Sequence, residues 1–96
     1  MSTVERKRAA HAARLLKLAA SSTRASILFV LSRHKQLAVQ DIAAELDMTH
    51  SAVSHQLAVL AGADIVTSKK SGRMMCYAIS KNPQAKALVK FLTTVK

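Results

Sequence analysis

Apolar residues recur at helical spacing in the first third of the chain, where the pattern predicts two helices. The first runs from Val4 to about Ala20, a stretch of helix formers that contains neither glycine nor proline. Its apolar side chains can share one face, with the basic residues largely opposite. The second runs from Arg24 to about Arg33, after polar residues that offer N-caps, and its apolar residues are expected to point into a core.

The middle of the chain predicts two shorter helices joined by a tight turn. After a connection over residues 34–39, part of which can pair as a brief strand, a third helix runs from about Gln40 to Leu46. Thr49 is a good N-cap for a fourth helix that continues to about Ala61. The apolar residues of the fourth helix fall on one face. The opposite face carries short polar side chains, namely His50, Ser51, Ser54 and His55.

The periodicity changes after Gly62, where the sequence predicts a β-hairpin of the kind called a wing. A short strand covers residues 65–67, and a second strand covers residues 74–80 with alternating faces. Between them the segment Ser68–Arg73 is expected to be a basic loop, in which Gly72 supplies a permissive backbone angle. Met74 and Met75, at the start of the second strand, are interpreted as wing packing and not as metal ligands.

The last segment, Gln84–Val95, predicts a fifth helix with an apolar stripe, and Pro83 is tolerated in its first turn. In a chain of 96 residues, apolar stripes on the two terminal helices would be left partly uncovered in a monomer. We therefore expect a homodimer formed by the first and last helices. The expected interface residues are Leu15 and Leu16, with Leu88, Phe91, Leu92 and Val95.

The length of 96 residues predicts one domain, residues 1–96, because a second core would not fit. The hydrophobic fraction is 50% with only three aromatic residues, so the core must consist of Leu, Ile, Val and Ala. The predicted fold class is mainly α with a small β-hairpin, a winged helix-turn-helix with the element order α1-α2-α3-α4-β-β-α5.

The charge balance indicates a polyanionic partner. Fifteen Lys and Arg residues against five Asp and Glu give a formal net charge of +10, and the segment from Ile65 to the end contains seven basic residues and no acidic one. Such self-repulsion is tolerated most readily where phosphates neutralise it. The simpler alternative is a surface that only serves solubility, but the uneven distribution favours double-stranded DNA as the partner.

The segment Val39–Leu60 is typical of a helix-turn-helix. Small residues, Ala43 and Ala44, would allow two helices to cross closely, and the exposed polar groups of the second helix could reach base edges in a major groove about 12 Å wide. Helical hairpins are common, so geometry alone does not decide the function. The candidate DNA-binding residues are Thr49, His50, Ser51, Ser54, His55 and Gln56 on the fourth helix, with Lys69, Lys70 and Arg73 in the wing.

Three runs, LLKLAASSTRASILFVL, LAVQDIAAELDMTHSAVSHQLAVL and IVTSKKSGRMMCYAIS, resemble the arsenic-repressor (ArsR/SmtB) family of winged-helix transcription factors over Leu15–Ser80. The resemblance places Ser51, Ser54, His55 and Gln56 on the recognition helix, in text similar to the family pattern S-x-x-S-H-x-L, and Gly72 and Arg73 in the wing. Arg24 matches an arginine at the start of the family's second helix. The resemblance implies dimerisation through the first and last helices. It also implies operator recognition by the fourth helix and the wing.

The metal sites of the family are not expected here. Where soft-metal sensors of the family carry Cys-Val-Cys-Asp, this chain reads Ala38, Val39, Gln40 and Asp41, so both thiolates are missing. The zinc- and nickel-type site on the last helix also lacks ligands, because residues 84–96 contain no His, Asp or Glu. We therefore expect no metal and no cofactor, and the residues do not indicate an inducer.

The histidines and the single cysteine have simpler interpretations. His50 and His55 are five positions apart and so lie on different sides of a helix, and His11 and His34 belong to separate elements. Cys76 excludes an intrachain disulfide and fits a reducing compartment. A redox sensor is the alternative for Cys76, but no resolving thiol is present, and a small core residue is favoured.

The remaining expectations concern location and rival functions. The chain has no apolar stretch near ~18 residues and no signal-like start, which predicts a cytoplasmic protein without membrane contact. An enzyme is not expected, because no Ser/His/acid set, phosphate loop or carboxylate pair is present. The main rival to a repressor is an architectural DNA-binding protein with little sequence preference, since the same basic charge would serve it.

Overall fold

The computed structural model describes residues 1–96 and shows five helices around a small antiparallel sheet, which is a winged helix-turn-helix. The elements are α1 (Thr3–Ala19), α2 (Ser22–Ser32), β1 (Leu37–Ala38), α3 (Val39–Leu46), α4 (His50–Gly62), β2 (Val66–Ser71), β3 (Met74–Ile79) and α5 (Pro83–Thr94). The predicted fold class is therefore confirmed. No single helix is long and apolar enough to span a membrane; only α1 and α2 taken together, bent by 90°, meet those two criteria.

Polar side chains begin four of the five helices by accepting a hydrogen bond from a backbone N–H three residues later, as N-caps do. These residues are Ser2, Ser21, Thr49 and Asn82. Because Ser21 is the cap, α2 begins at Ser22, two residues before the predicted start. Asn82 also donates from Nδ2 to the carbonyl of Asp64 at 2.8 Å, which ties the start of α5 to the turn after α4.

The core is built from aliphatic side chains of every predicted helix and of the hairpin. Its fully buried members come mainly from α2 and α4. The largest are Ile27, Leu28, Leu31, Ile42, Val53, Leu57, Leu60 and Ile65. The four residues of α2 expected to point inward, Ile27, Leu28, Val30 and Leu31, are all buried. Three residues of α4 lie in this core on one face, so the opposite face of α4 is directed outward.

The hairpin is longer than predicted. Lys69 and Lys70 were expected in a loop, but both lie in β2, which pairs with β3 from Val66 to Ser71. The connection shrinks to a two-residue turn in which Gly72 has φ of 62°, a conformation that glycine adopts without strain. β2 continues through polar residues because each of them lies opposite a residue of β3, so the backbone of β2 can form the hydrogen bonds of the sheet. In the sheet order β1-β3-β2, β3 is central.

Candidate nucleic-acid interface

The outward face of α4 carries the residues predicted to contact DNA bases. His50, Ser51 and His55 are exposed and Ser54 is half-buried, while the buried Val53 and Leu57 fix the direction of the helix. Thr49 is also exposed, and its Oγ1 accepts a hydrogen bond from the backbone N–H of Ala52 at 3.1 Å. The hydroxyl of Thr49 therefore stabilises the first turn of α4 and still has a proton to donate.

Ala58 belongs to the same outward face, although the sequence analysis did not single it out. It lies four residues after Ser54 and three after His55, positions that share one side of a helix, and it is exposed. An exposed alanine on a recognition helix can contact the methyl group of thymine. The sequence analysis selected polar residues on this helix, so it could not find an alanine. Only the exposure of Ala58 in the fold identifies it as a candidate.

Gln56 is placed differently from the other candidates. Its Oε1 accepts a hydrogen bond from Nη1 of Arg24 at 2.9 Å, and its side chain is half-buried between α4 and the start of α2. The assignment of Gln56 to the DNA-binding residues stays a prediction, and the structure adds that its carbonyl oxygen is engaged by a neighbouring helix, which leaves the Nε2 group as the free part of the amide. Two helical positions after Ser54, Gln56 also lies near the opposite flank of α4.

The wing presents three exposed basic residues. Lys69 lies opposite Cys76 and Lys70 opposite Met75 in the ladder, so the two lysines project from opposite faces of the hairpin. Arg73 occupies the second position of the turn. None of these cations is paired within the protein, because the single ion pair in the structure joins Arg33 and Glu45. Their charge is therefore available to an external anion.

The expected packing of the wing methionines is not observed. Met74 is 37% exposed and Met75 is 43% exposed, so neither side chain is covered within the protomer. Cys76, in contrast, is buried in the central strand, in agreement with the interpretation as a small buried residue. The difference arises because the outer end of β3 extends beyond the helical body, whereas Cys76 pairs with Ala38 of β1 as well as with Lys69.

An apolar groove lies between α1 and α5. It has a volume of about 820 Å³, and its lining includes Leu15, Leu16, Leu88 and Phe91. The largest exposed apolar side chains at the predicted interface are Leu16 at 52%, Phe91 at 56% and Val95 at 59%. Leu88 was expected in an exposed stripe, and this is corrected: it is only 5% exposed because it packs into the protomer core.

The residues with metal-ligating groups are dispersed. No group of three or more His, Cys, Asp or Glu side chains is close enough to hold a metal ion. His11 lines the groove between α1 and α5, and His34 lies beside the outer face of α5 in a second cleft that also contains Lys86 and Lys90.

Comparison with known proteins places this geometry in a family. The model of the family described as "Bacterial regulatory protein, arsR family" matches residues 21–68. The HTH-type transcriptional regulator NmtR of Mycobacterium tuberculosis is 39% identical over 71 residues, which are 74% of this chain and 58% of NmtR. The chain thus spans less than two thirds of the length of that relative.

Two solved structures have nearly the same fold. Reduced HlyU from Vibrio cholerae is 29% identical and superimposes with a TM-score of 0.87, covering 97% of this chain and 96% of HlyU. The antimony-specific transcriptional repressor AntR is 29% identical with a TM-score of 0.79, covering 97% of this chain and 78% of AntR. The arrangement of recognition helix and wing described above is therefore shared with transcriptional regulators.

Proposed function

This chain belongs to the arsR family of bacterial regulatory proteins, DNA-binding transcriptional regulators, and we propose that it represses transcription as a homodimer bound to an inverted-repeat operator. The observation that carries the proposal is the outward face of α4, where short polar side chains stand on a helix anchored in the core by Val53, Leu57 and Leu60. Rigidly held donors and acceptors can discriminate base edges.

In this proposal α4 and the wing make different contacts with DNA, according to where their side chains lie. Thr49, His50, Ser51, Ser54 and His55 read bases in the major groove, with Ala58 as an apolar contact. The wing residues Lys69, Lys70 and Arg73 contact phosphates, because unpaired cations on an exposed hairpin suit backbone contacts that carry no sequence information. In this arrangement each protomer meets one half-site, and the half-sites lie about one helical turn of DNA or a small multiple apart.

The homodimer is supported by the groove between α1 and α5. Leu16 and Phe91 leave more than half of their side-chain surface uncovered at this groove. A second copy of the same chain would cover both helices, and the arrangement would present the two recognition helices symmetrically. The dimer also makes the operator an inverted repeat, since the symmetry of the site mirrors that of the protein.

Selection of binding sites from a random duplex pool tests the function directly. We expect the selected sequences to converge on an inverted repeat, and footprinting should show protection of both halves. Equal affinity for the selected and the starting pools would contradict the proposal and would support an architectural DNA-binding protein. An asymmetric, single-site footprint would contradict the dimeric mode of binding.

Ser54→Ala combined with His55→Ala should erode sequence preference. Loss of base contacts is expected to cost roughly 1–3 kcal/mol on the selected operator and much less on random DNA. The ratio of the two affinities, measured by fluorescence anisotropy at fixed salt, reports the effect. Ser32→Ala combined with His34→Ala is the matched control, because both residues are exposed and lie outside α4. Equal losses on both DNAs would refute the assignment of specificity to α4.

We also propose that Zn²⁺, Cd²⁺ and arsenite do not release the protein from DNA at micromolar concentrations. Cd²⁺ and arsenite need thiolate ligands, and the one cysteine of the chain is buried in β3. Zn²⁺ can also bind through His and carboxylate ligands, but no three such side chains lie close enough together to hold an ion. Titration of each ion into the preformed complex should leave the anisotropy unchanged. A tenfold or larger loss of affinity that a chelator reverses would disprove this, and replacement of His11 or His34 would then locate the site.

A further inference from the structure

The guanidinium of Arg24 connects three helices. Arg24 lies in the first turn of α2, its Nε donates a hydrogen bond to the carbonyl oxygen of Leu18 at 2.7 Å, and its Nη1 donates to Oε1 of Gln56 at 2.9 Å. Both hydrogen bonds are partly buried. One side chain therefore joins the end of α1, the start of α2 and the recognition helix α4.

The contact with Leu18 satisfies a group that α1 leaves without a partner. α1 ends at Ala19, so the carbonyl of Leu18 is one of the last four in the helix and has no N–H of the same helix to accept from. A cation at the C-terminal end of a helix is also electrostatically favourable. Arg24 thus ends α1 with a charge-assisted hydrogen bond, which is stronger than a neutral one.

The contact with Gln56 lies next to the proposed base-reading residues. Gln56 directly follows His55 and is two residues after Ser54, so a constraint on Gln56 acts on the part of α4 that carries these side chains. Leu18, at the other end of the bridge, belongs to the same two turns of α1 as Leu15 and Leu16, which line the groove of the proposed dimer. The bridge is therefore a polar connection between the last turn of α1, the helix that lines one side of the groove, and the recognition helix.

We propose that Arg24 is a positioning residue: through Gln56 it fixes the recognition helix against the last turn of α1, and so transmits the seating of the dimer to the DNA-reading face. The inference rests on the proposed function. Arginine suits the role because its planar fork holds two acceptors at once, whereas the ammonium of lysine is a point charge on a flexible stem. Three of its five N–H groups remain outside the two hydrogen bonds.

Three full-length variants test the bridge on the DNA selected with the unmodified protein. Arg24→Lys keeps the positive charge but loses the planar guanidinium, which can donate to two acceptors at once. Gln56→Met keeps the length of the side chain but removes the acceptor, and Gln56→Glu keeps an acceptor and makes the hydrogen bond charge-assisted. Arg33→Lys is the matched control, since Arg33 lies at the other end of α2 and pairs only with the exposed Glu45. Circular dichroism and sedimentation confirm that each variant is folded and dimeric.

We expect Arg24→Lys and Gln56→Met each to lower operator affinity about tenfold, with little change on random DNA and in the salt slope. The double variant should be no weaker than either single one, because both remove the same hydrogen bond. Gln56→Glu should retain the ratio of operator to random affinity, and Arg33→Lys should change nothing.

Three outcomes would overturn the proposal. If Arg24→Lys matched the unmodified protein, or if the losses from Arg24→Lys and Gln56→Met simply added, the bridge would not position α4. If Arg24→Ala lowered the salt slope by about two units in the dimer while Gln56→Met had no effect, Arg24 would contact phosphate directly.

Should Arg24→Lys fail to fold, Gln56→Met and Gln56→Glu decide the question. Failure of the proposed function is recognised separately, because the unmodified protein would then select no operator.

Discussion

Phe91→Glu should convert the protein into a monomer and abolish operator binding at concentrations that saturate the unmodified dimer. Phe91 is 56% exposed beside the apolar groove between α1 and α5. Burying a phenylalanine is worth about 1.5–3 kcal/mol, and a symmetric interface contains two copies. A carboxylate there would also lose its hydration without gaining a partner.

Scaled to the 56% of each Phe91 that the protomer leaves exposed, the combined cost is about 2–3 kcal/mol before any charge is considered, and it should raise the dimer dissociation constant at least tenfold. Sedimentation equilibrium at micromolar concentration is the measurement: the unmodified chain should sediment at twice its 10.4 kDa mass and the variant at 10.4 kDa. Met75→Glu is the control, since it places the same carboxylate at an exposed apolar residue outside the groove. If the unmodified protein is a monomer, the proposed homodimer is wrong. If the Phe91→Glu variant is still a dimer, the interface does not include Phe91.

Lys69→Ala combined with Lys70→Ala should weaken binding to every DNA sequence. The double substitution removes four cations from a dimer, and at about 0.9 units per phosphate contact the slope of log affinity against log salt should shrink by roughly 3–4 units if all four contact phosphate and by roughly 2 units if only one face of each wing does. Affinity at low salt should fall on operator and random DNA alike, because phosphate contacts carry no sequence information. The slope measured from 50 to 200 mM salt on both DNAs gives the result.

The structure sharpens this test. Lys69 and Lys70 project from opposite faces of the hairpin, so the single variants reveal which face of the wing lies along the DNA backbone. Lys86→Ala combined with Lys90→Ala is a control of equal charge on α5, away from the wing. An equal change of slope in that control would mean that the overall positive field, and not the wing, binds the phosphates.

The sequence by itself determined most of the local structure. Helical spacing of apolar residues predicted all five helices, because a helix must bury one face, and Ser21, Thr49 and Asn82 begin helices by hydrogen bonds within three residues. The identity of the outward face of α4 also followed, since the burial of Val53 and Leu57 fixes which side faces solvent. These features depend on neighbours within one or two helical turns.

The tertiary structure decided what depends on residues distant in sequence. Gln56 accepts a hydrogen bond from Arg24, 32 positions earlier, and this contact is invisible in the pattern of α4 alone. Leu88 is buried because its side of α5 packs against the core of the protomer. The sequence predicts an apolar stripe on α5 but does not show which residues of the stripe the protomer itself covers. The polar segment around Lys69 became a strand because β3 lies beside it and supplies the hydrogen bonds that its own side chains do not predict.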